Sequence, residues 1–136
     1  MNKSQIKEKL ENAVKNLFQN QPDIFDYTPE TRITEWNLAH HLAFEIQKEF
    51  PDYQHDIELI KSSAGDKRPD IVLHTRGTHK NNFLVIEVKR QRNTRSDRDK
   101  IEENWFIDPY YYEFGATIQL IDINKYHIEV FKNNMV

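Results

Sequence analysis

Asp70-Ile71-Val72-Leu73-His74 and Phe83-Leu84-Val85-Ile86-Glu87-Val88-Lys89 are the two stretches on which the reading of this chain turns. Both are short apolar runs with β-branched residues, the pattern of strands. Thr75 to Asn82 lies between them and carries Gly77 and two asparagines, so it predicts a hairpin loop. The second run is almost continuously apolar, which predicts a central strand covered on both faces. Glu87 and Lys89 break that run. They are two residues apart and so share one face of the strand, with Val88 on the other. Desolvating a carboxylate and an ammonium there costs several kcal/mol unless they are paired or bound to metal. Asp70 opens the neighbouring strand, and Pro69 before it has no N–H to lose from the ladder. The interval from Asp70 to Glu87 holds two strands and a turn, so pairing can set the two acids side by side.

Working outward, about Ser4 to Gln19 places Ile6, Leu10, Val14, Leu17 and Phe18 on one helical face, with Ser4 as a reasonable N-cap. Pro22 and Pro29 mark an irregular stretch. A second helix is expected from about Thr34, which can cap it, to Phe50, with Trp36, Leu38, Leu42, Ile46 and Phe50 apolar and Pro51 as its stop. His55 to Lys61 alternates like a strand, and Ser62 to Lys67 reads as a turn. After the motif strand a helix fits Ser96 to Phe106. Ala116 to Ile123 and Tyr126 to Phe131 read as two more strands around a turn at Asn124-Lys125. The order is helix, helix, three strands, helix, two strands, an α/β arrangement with helices on the faces of a mixed sheet.

At 136 residues, with 38% hydrophobic and 30% charged residues, the chain is expected to be one soluble globular domain. It has no cysteine, which removes disulfides, thiolate zinc sites and cysteine nucleophiles and fits a reducing cytoplasm. No apolar run reaches the roughly 18–20 residues of a membrane span, and the polar start is not a signal-peptide core. The net charge is −3. That total hides a basic window of Lys89, Arg90, Arg92, Arg95, Arg98 and Lys100, and distribution matters more than the sum for nucleic-acid partners.

Two adjacent carboxylates raise each other's pKa unless a cation lies between them. Hard oxygen ligands select Mg²⁺, with Mn²⁺ a plausible substitute. A bound divalent ion lowers the pKa of its water and stabilises charge on a phosphate. Lys89 can orient or deprotonate that water, or hold a phosphate oxygen; the sequence leaves all three open.

Arg68-Pro69-Asp70-Ile71-Val72-Leu73 followed by Val85-Ile86-Glu87-Val88-Lys89 resembles the PD-(D/E)XK nuclease superfamily, the fold of many restriction endonucleases and resolvases. Glu35, near the start of the second helix, matches an acidic residue found there in family members, and Tyr112 to Ile118 is similar to the family's entry into the next strand. The resemblance covers about 34–131 and leaves the helix at 4–19 as an addition. It implies a restriction-endonuclease-like αβββαβ core. It makes Asp70 and Glu87 metal ligands, adds the Val88 backbone carbonyl as a third, makes Lys89 the catalytic lysine, and gives Glu35 a place as a ligand or as support for one. The implied activity is Mg²⁺-dependent hydrolysis of nucleic-acid phosphodiesters, with DNA favoured, by a homodimer or within a larger defence or repair assembly. The alternative is a nuclease-like fold that binds nucleic acid or acts as a scaffold without turnover.

Other features have plainer readings. Glu35 also complements its helix dipole, and Glu45 and Glu30 are weaker rivals for its role. The basic window can contact phosphates or form a solvated face, with Lys100 best placed to reach the site. Tyr110-Tyr111-Tyr112 can stack on bases, but packing at a helix–strand junction is favoured. His40 and His41, adjacent on a helix, point about 100° apart and cannot easily share an ion. His74 and His79 lack partners at zinc-site spacing.

Overall fold

The computed structural model describes residues 1–26, 32–57, 68–90 and 95–136, with the backbone alone at 32–34, 95 and 96. The elements run α1 (Lys3–Asn20), α2 (Arg32–Glu49), β1 (Gln54–Ile57), β2 (Ile71–His74), β3 (Leu84–Lys89), α3 (Arg95–Asn104), β4 (Phe114–Asp122) and β5 (Lys125–Lys132). This is the expected order. Glu30, Glu58 to Lys67 and Arg92 lie outside the described residues, as do the side chains of Thr34 and Arg95.

The five strands form one mixed sheet in the order β1-β2-β3-β4-β5. β1, β2 and β3 pair antiparallel, β3 and β4 parallel, and β4 and β5 antiparallel. The apolar β3 is central, as its composition requires. The parallel neighbour needs a crossover, and α3 provides it.

Strand alternation divides the sheet into two faces. Ile71, Leu73, Leu84, Ile86, Val88, Phe114, Ala116, Ile118 and Leu120 face a core shared with Leu10, Leu17, Leu38, Leu42 and Ile46 of α1 and α2. Val72, Val85 and Phe131 face the second core, with Ile101 of α3 and Trp105, Phe106, Tyr110 and Tyr112 after it. Each fully buried large side chain contributes roughly 1.5–3 kcal/mol. Asp70, Glu87, Lys89 and Thr117 belong by alternation to this second face, beyond the end of its apolar patch.

Two local expectations need correction. Asn2, not Ser4, caps α1. Asn2 Oδ1 accepts from the Gln5 backbone N–H at 2.9 Å, and Gln5 Oε1 accepts from the Asn2 N–H at 2.8 Å, so both orphan donors are satisfied reciprocally. Trp36 is not a core residue; it is 40% exposed, because α2 buries the stripe of Leu38, Ala39, Leu42, Ala43 and Ile46 instead. Tyr110 and Tyr112 are buried in packing and Tyr111 is exposed. No helix among the described residues is long and apolar enough to cross a membrane.

At the far end of the sheet Asp56 ties β1 to β2 and to the turn that follows. It accepts from Arg76 Nη2 at 2.7 Å and lies 2.7 Å from His74 Nε2. The Arg76 hydrogen bond is the main cause that holds its carboxyl down to about 2.

Candidate active site

The antiparallel register that pairs Ile71 with Ile86 puts Asp70 opposite Glu87 at the next step of the ladder. The two carboxyl groups are hydrogen-bonded to each other. Asp70 Oδ2 also accepts from the Val88 backbone N–H at 2.7 Å. Glu87 is 8% exposed. Burial, and then the charge of Asp70, push its carboxyl well above the usual carboxylate range. Burial raises Asp70 as well, while the Val88 N–H opposes the shift. The upward shift is the stronger at Glu87, the more deeply buried of the two.

Lys89, two residues further along β3, points to the same face. Its ammonium lies 4.0 Å from Glu35 Oε2 and 3.8 Å from Asp97 Oδ1. Glu35 comes from the first turn of α2, and its Oε2 also accepts from the Arg90 backbone N–H at 3.3 Å. Among the described residues, Asp70, Glu87, Glu35 and Asp97 thus gather around Lys89 where β3 ends. Asp70, Glu87, Lys89 and Glu35 are brought together from three separate elements.

The rival acid Glu45 is elsewhere. It is buried and accepts from Asn20 Nδ2 at 2.8 Å and from Lys48 Nζ at 3.2 Å, so it serves helix packing. The basic window divides in space. The Arg90 guanidinium sits 4.1 Å from the centre of the Phe25 ring and donates to the carbonyls of Leu120 and Ile121. Arg98 donates to Glu102 and Glu129, each at 2.7 Å, and covers Phe131. Lys100 is exposed, and its ammonium lies 3.9 Å from Asp97 Oδ1. Among the described side chains of that window, Lys89 and Lys100 are the ones that meet the acids of the site.

Two residues at the site escaped sequence reasoning. Asp97, in the first turn of α3, is 1% exposed, faces Lys89 and adds its charge to that around Glu87. Its signal in the sequence is an acid inside a basic run, which reads as ordinary charge alternation. Thr117 pairs with Glu87 across the β3–β4 ladder and is 1% exposed, and its hydroxyl has no hydrogen-bond partner among the described residues. A lone polar residue between Ala116 and Ile118 was the available sign.

The donor chemistry fits a hard divalent cation. The buried Glu87 carboxyl and the part-buried Asp70 carboxyl lie side by side, where a cation would relieve the burial and repulsion that raise both, and Glu35 stands near. In an extended strand the N–H and C=O of one residue face the same side, so the Val88 carbonyl faces Asp70 as its N–H does. Among the described residues no group of three or more His, Asp or Glu side chains is arranged to hold a metal ion; a cation here would draw on two carboxylates and a backbone carbonyl. Comparison with protein-family models and with curated proteins returns no match.

Proposed function

We propose that this chain is a divalent-metal-dependent nuclease with a restriction-endonuclease-like core, and that Asp70, Glu87, Lys89 and Glu35 form its active site. The observation that supports this best is the hydrogen-bonded Asp70–Glu87 pair, with Glu87 buried and Asp70 part-buried, beside Lys89 at the end of a central strand. A purely structural role would not account for two acids set side by side where burial and mutual repulsion both disfavour their charged forms.

Asp70, Glu87 and the Val88 carbonyl would hold Mg²⁺ or Mn²⁺. When bound, the ion supplies a Lewis acid for the phosphate and a water of lowered pKa. Glu87 would serve the ion as its carboxylate, and the Val88 N–H keeps the Asp70 carboxylate aimed. Lys89 places its ammonium over the same face, where it orients the attacking water or holds a phosphate oxygen. Glu35 restrains that ammonium from the α2 side and anchors the chain beyond β3 through the Arg90 N–H. The substrate is a nucleic-acid phosphodiester, and the resemblance to the nuclease superfamily favours DNA.

The test is cleavage of single- and double-stranded DNA and RNA with Mg²⁺ or Mn²⁺, set against EDTA. Asp70→Ala and Lys89→Ala should each abolish the product. Cleavage that survives both substitutions would defeat the assignment.

A further inference from the structure

Among the described residues, Asp97 is the acid of the site that neither pairs with another carboxyl nor accepts a hydrogen bond. It is 1% exposed, and both its oxygens lack hydrogen-bond partners among the described residues. Burying a carboxylate this way is costly unless cations compensate. Among the described side chains two cations approach it, both at the same oxygen. Lys89 Nζ lies at 3.8 Å and Lys100 Nζ at 3.9 Å from Asp97 Oδ1. The first turn of α3 also favours negative charge through the backbone dipole.

We infer that Asp97 is a positioning residue that holds Lys89 and Lys100 together as a two-ammonium clamp for the phosphate oxygens of the substrate backbone. What the clamp grips rests on the nuclease reading; the tether itself does not. A lysine is a point charge on a flexible stem, and a single contact leaves it free to swing. Lys89 is held from opposite elements, by Glu35 on α2 and Asp97 on α3. Lys100 is 56% exposed and reaches Asp97 from one helical turn away. The buried carboxylate therefore links the ammonium beside the acid pair to an ammonium open to solvent. A phosphodiester entering at the acid pair meets both cations, with Asp97 beneath them and out of reach of water.

Asp97→Asn, Asp97→Glu and Lys100→Gln test this in the full chain with two readouts. The first is acylation of each lysine by limiting acetic anhydride, read by peptide mass spectrometry. Asp97→Asn should raise the labelling of Lys89 and Lys100 several-fold, and Asp97→Glu should return it toward wild type. Unchanged labelling of both lysines in Asp97→Asn overturns the tether. If Asp97→Asn does not fold by circular dichroism, Lys100→Gln and Asp97→Glu carry the test. The second readout is Mg²⁺-dependent cleavage of a DNA oligonucleotide. Lys100→Gln should raise KM more than it lowers kcat, and should reduce the slope of log affinity against log salt by about 1. Asp97→Asn should lower kcat, with rescue by Asp97→Glu. Wild-type kinetics and salt slope in both variants overturn the clamp. A wild-type protein that cleaves nothing defeats the nuclease reading instead, and the acylation result then decides the tether alone.

Discussion

The Val88 backbone N–H donates to Asp70 Oδ2 across 2.7 Å, so the strand that carries Glu87 and Lys89 also fixes the acid opposite them. Asp70→Ala should leave that N–H without its acceptor, at a cost of about 1–3 kcal/mol. Asp70→Asn keeps an oxygen in place and removes the charge. Thermal denaturation in EDTA should therefore rank Asp70→Asn above Asp70→Ala. Both variants should lose metal-dependent cleavage by more than about 100-fold, since each damages the ligand set itself rather than its surroundings.

The acid pair also sets a pH dependence with a definite sign. Both carboxyls are raised in the folded protein, mainly by burial. The folded state therefore keeps protons that the unfolded chain releases above about pH 4. The stability from this protonation is complete below the unfolded pKa values and is lost as pH rises through the folded ones. In EDTA, Tm should fall as pH is raised above about 4, after allowance for the rest of the chain by comparison with Glu87→Gln, whose slope should be flatter. Mg²⁺ should stabilise the wild type more at the alkaline end, where it need not displace a proton. A metal-free Tm slope identical in Glu87→Gln and wild type would contradict a raised Glu87 carboxyl.

The element order was legible because apolar residues recur at helical spacing in α1 and run together in β2 and β3. The acid pair was legible for a related reason: strand alternation and a hairpin constrain which side chains meet, so Asp70 and Glu87 could be paired on paper. Asp97 could not. Its place depends on how α3 crosses back over the sheet, and no local period encodes that approach. The division of the basic window in space was hidden for the same reason. Arg90 and Arg98 are neighbours of Lys89 in sequence, yet they turn to Phe25 and Phe131, because successive residues leave a strand end and a helix in different directions. Trp36 shows the limit of counting apolar residues, since the alanines Ala39 and Ala43 take the buried stripe of α2.

The Arg90 guanidinium is engaged within the fold. Arg90→Ala removes the guanidinium from Phe25 and leaves the Leu120 and Ile121 carbonyls without a donor side chain. The expected loss is about 1–3 kcal/mol in urea unfolding. The salt slope for oligonucleotide binding should stay within error of wild type.

Gly115 is required by close packing between β4, β5 and α3. A Cβ there would lie 2.6 Å from Phe131 Cε2 and 2.8 Å from Ile101 Cγ2. Both neighbours are buried and cannot swing into solvent. Gly115→Ala should cost about 1–3 kcal/mol by overpacking. Because α3 carries Asp97 and Lys100, cleavage should fall as well, and chemical denaturation measured alongside activity checks both.

The dependence of cleavage rate on Mg²⁺ concentration, in wild type and Glu87→Gln, bears most directly on the role of the Asp70–Glu87 pair. The expected result is a saturable rise in rate for wild type, no cleavage in EDTA, and loss of both rate and saturation in Glu87→Gln while the variant stays folded. A wild-type rate that ignores Mg²⁺ and Mn²⁺, or a Glu87→Gln curve that overlays the wild type, would contradict it.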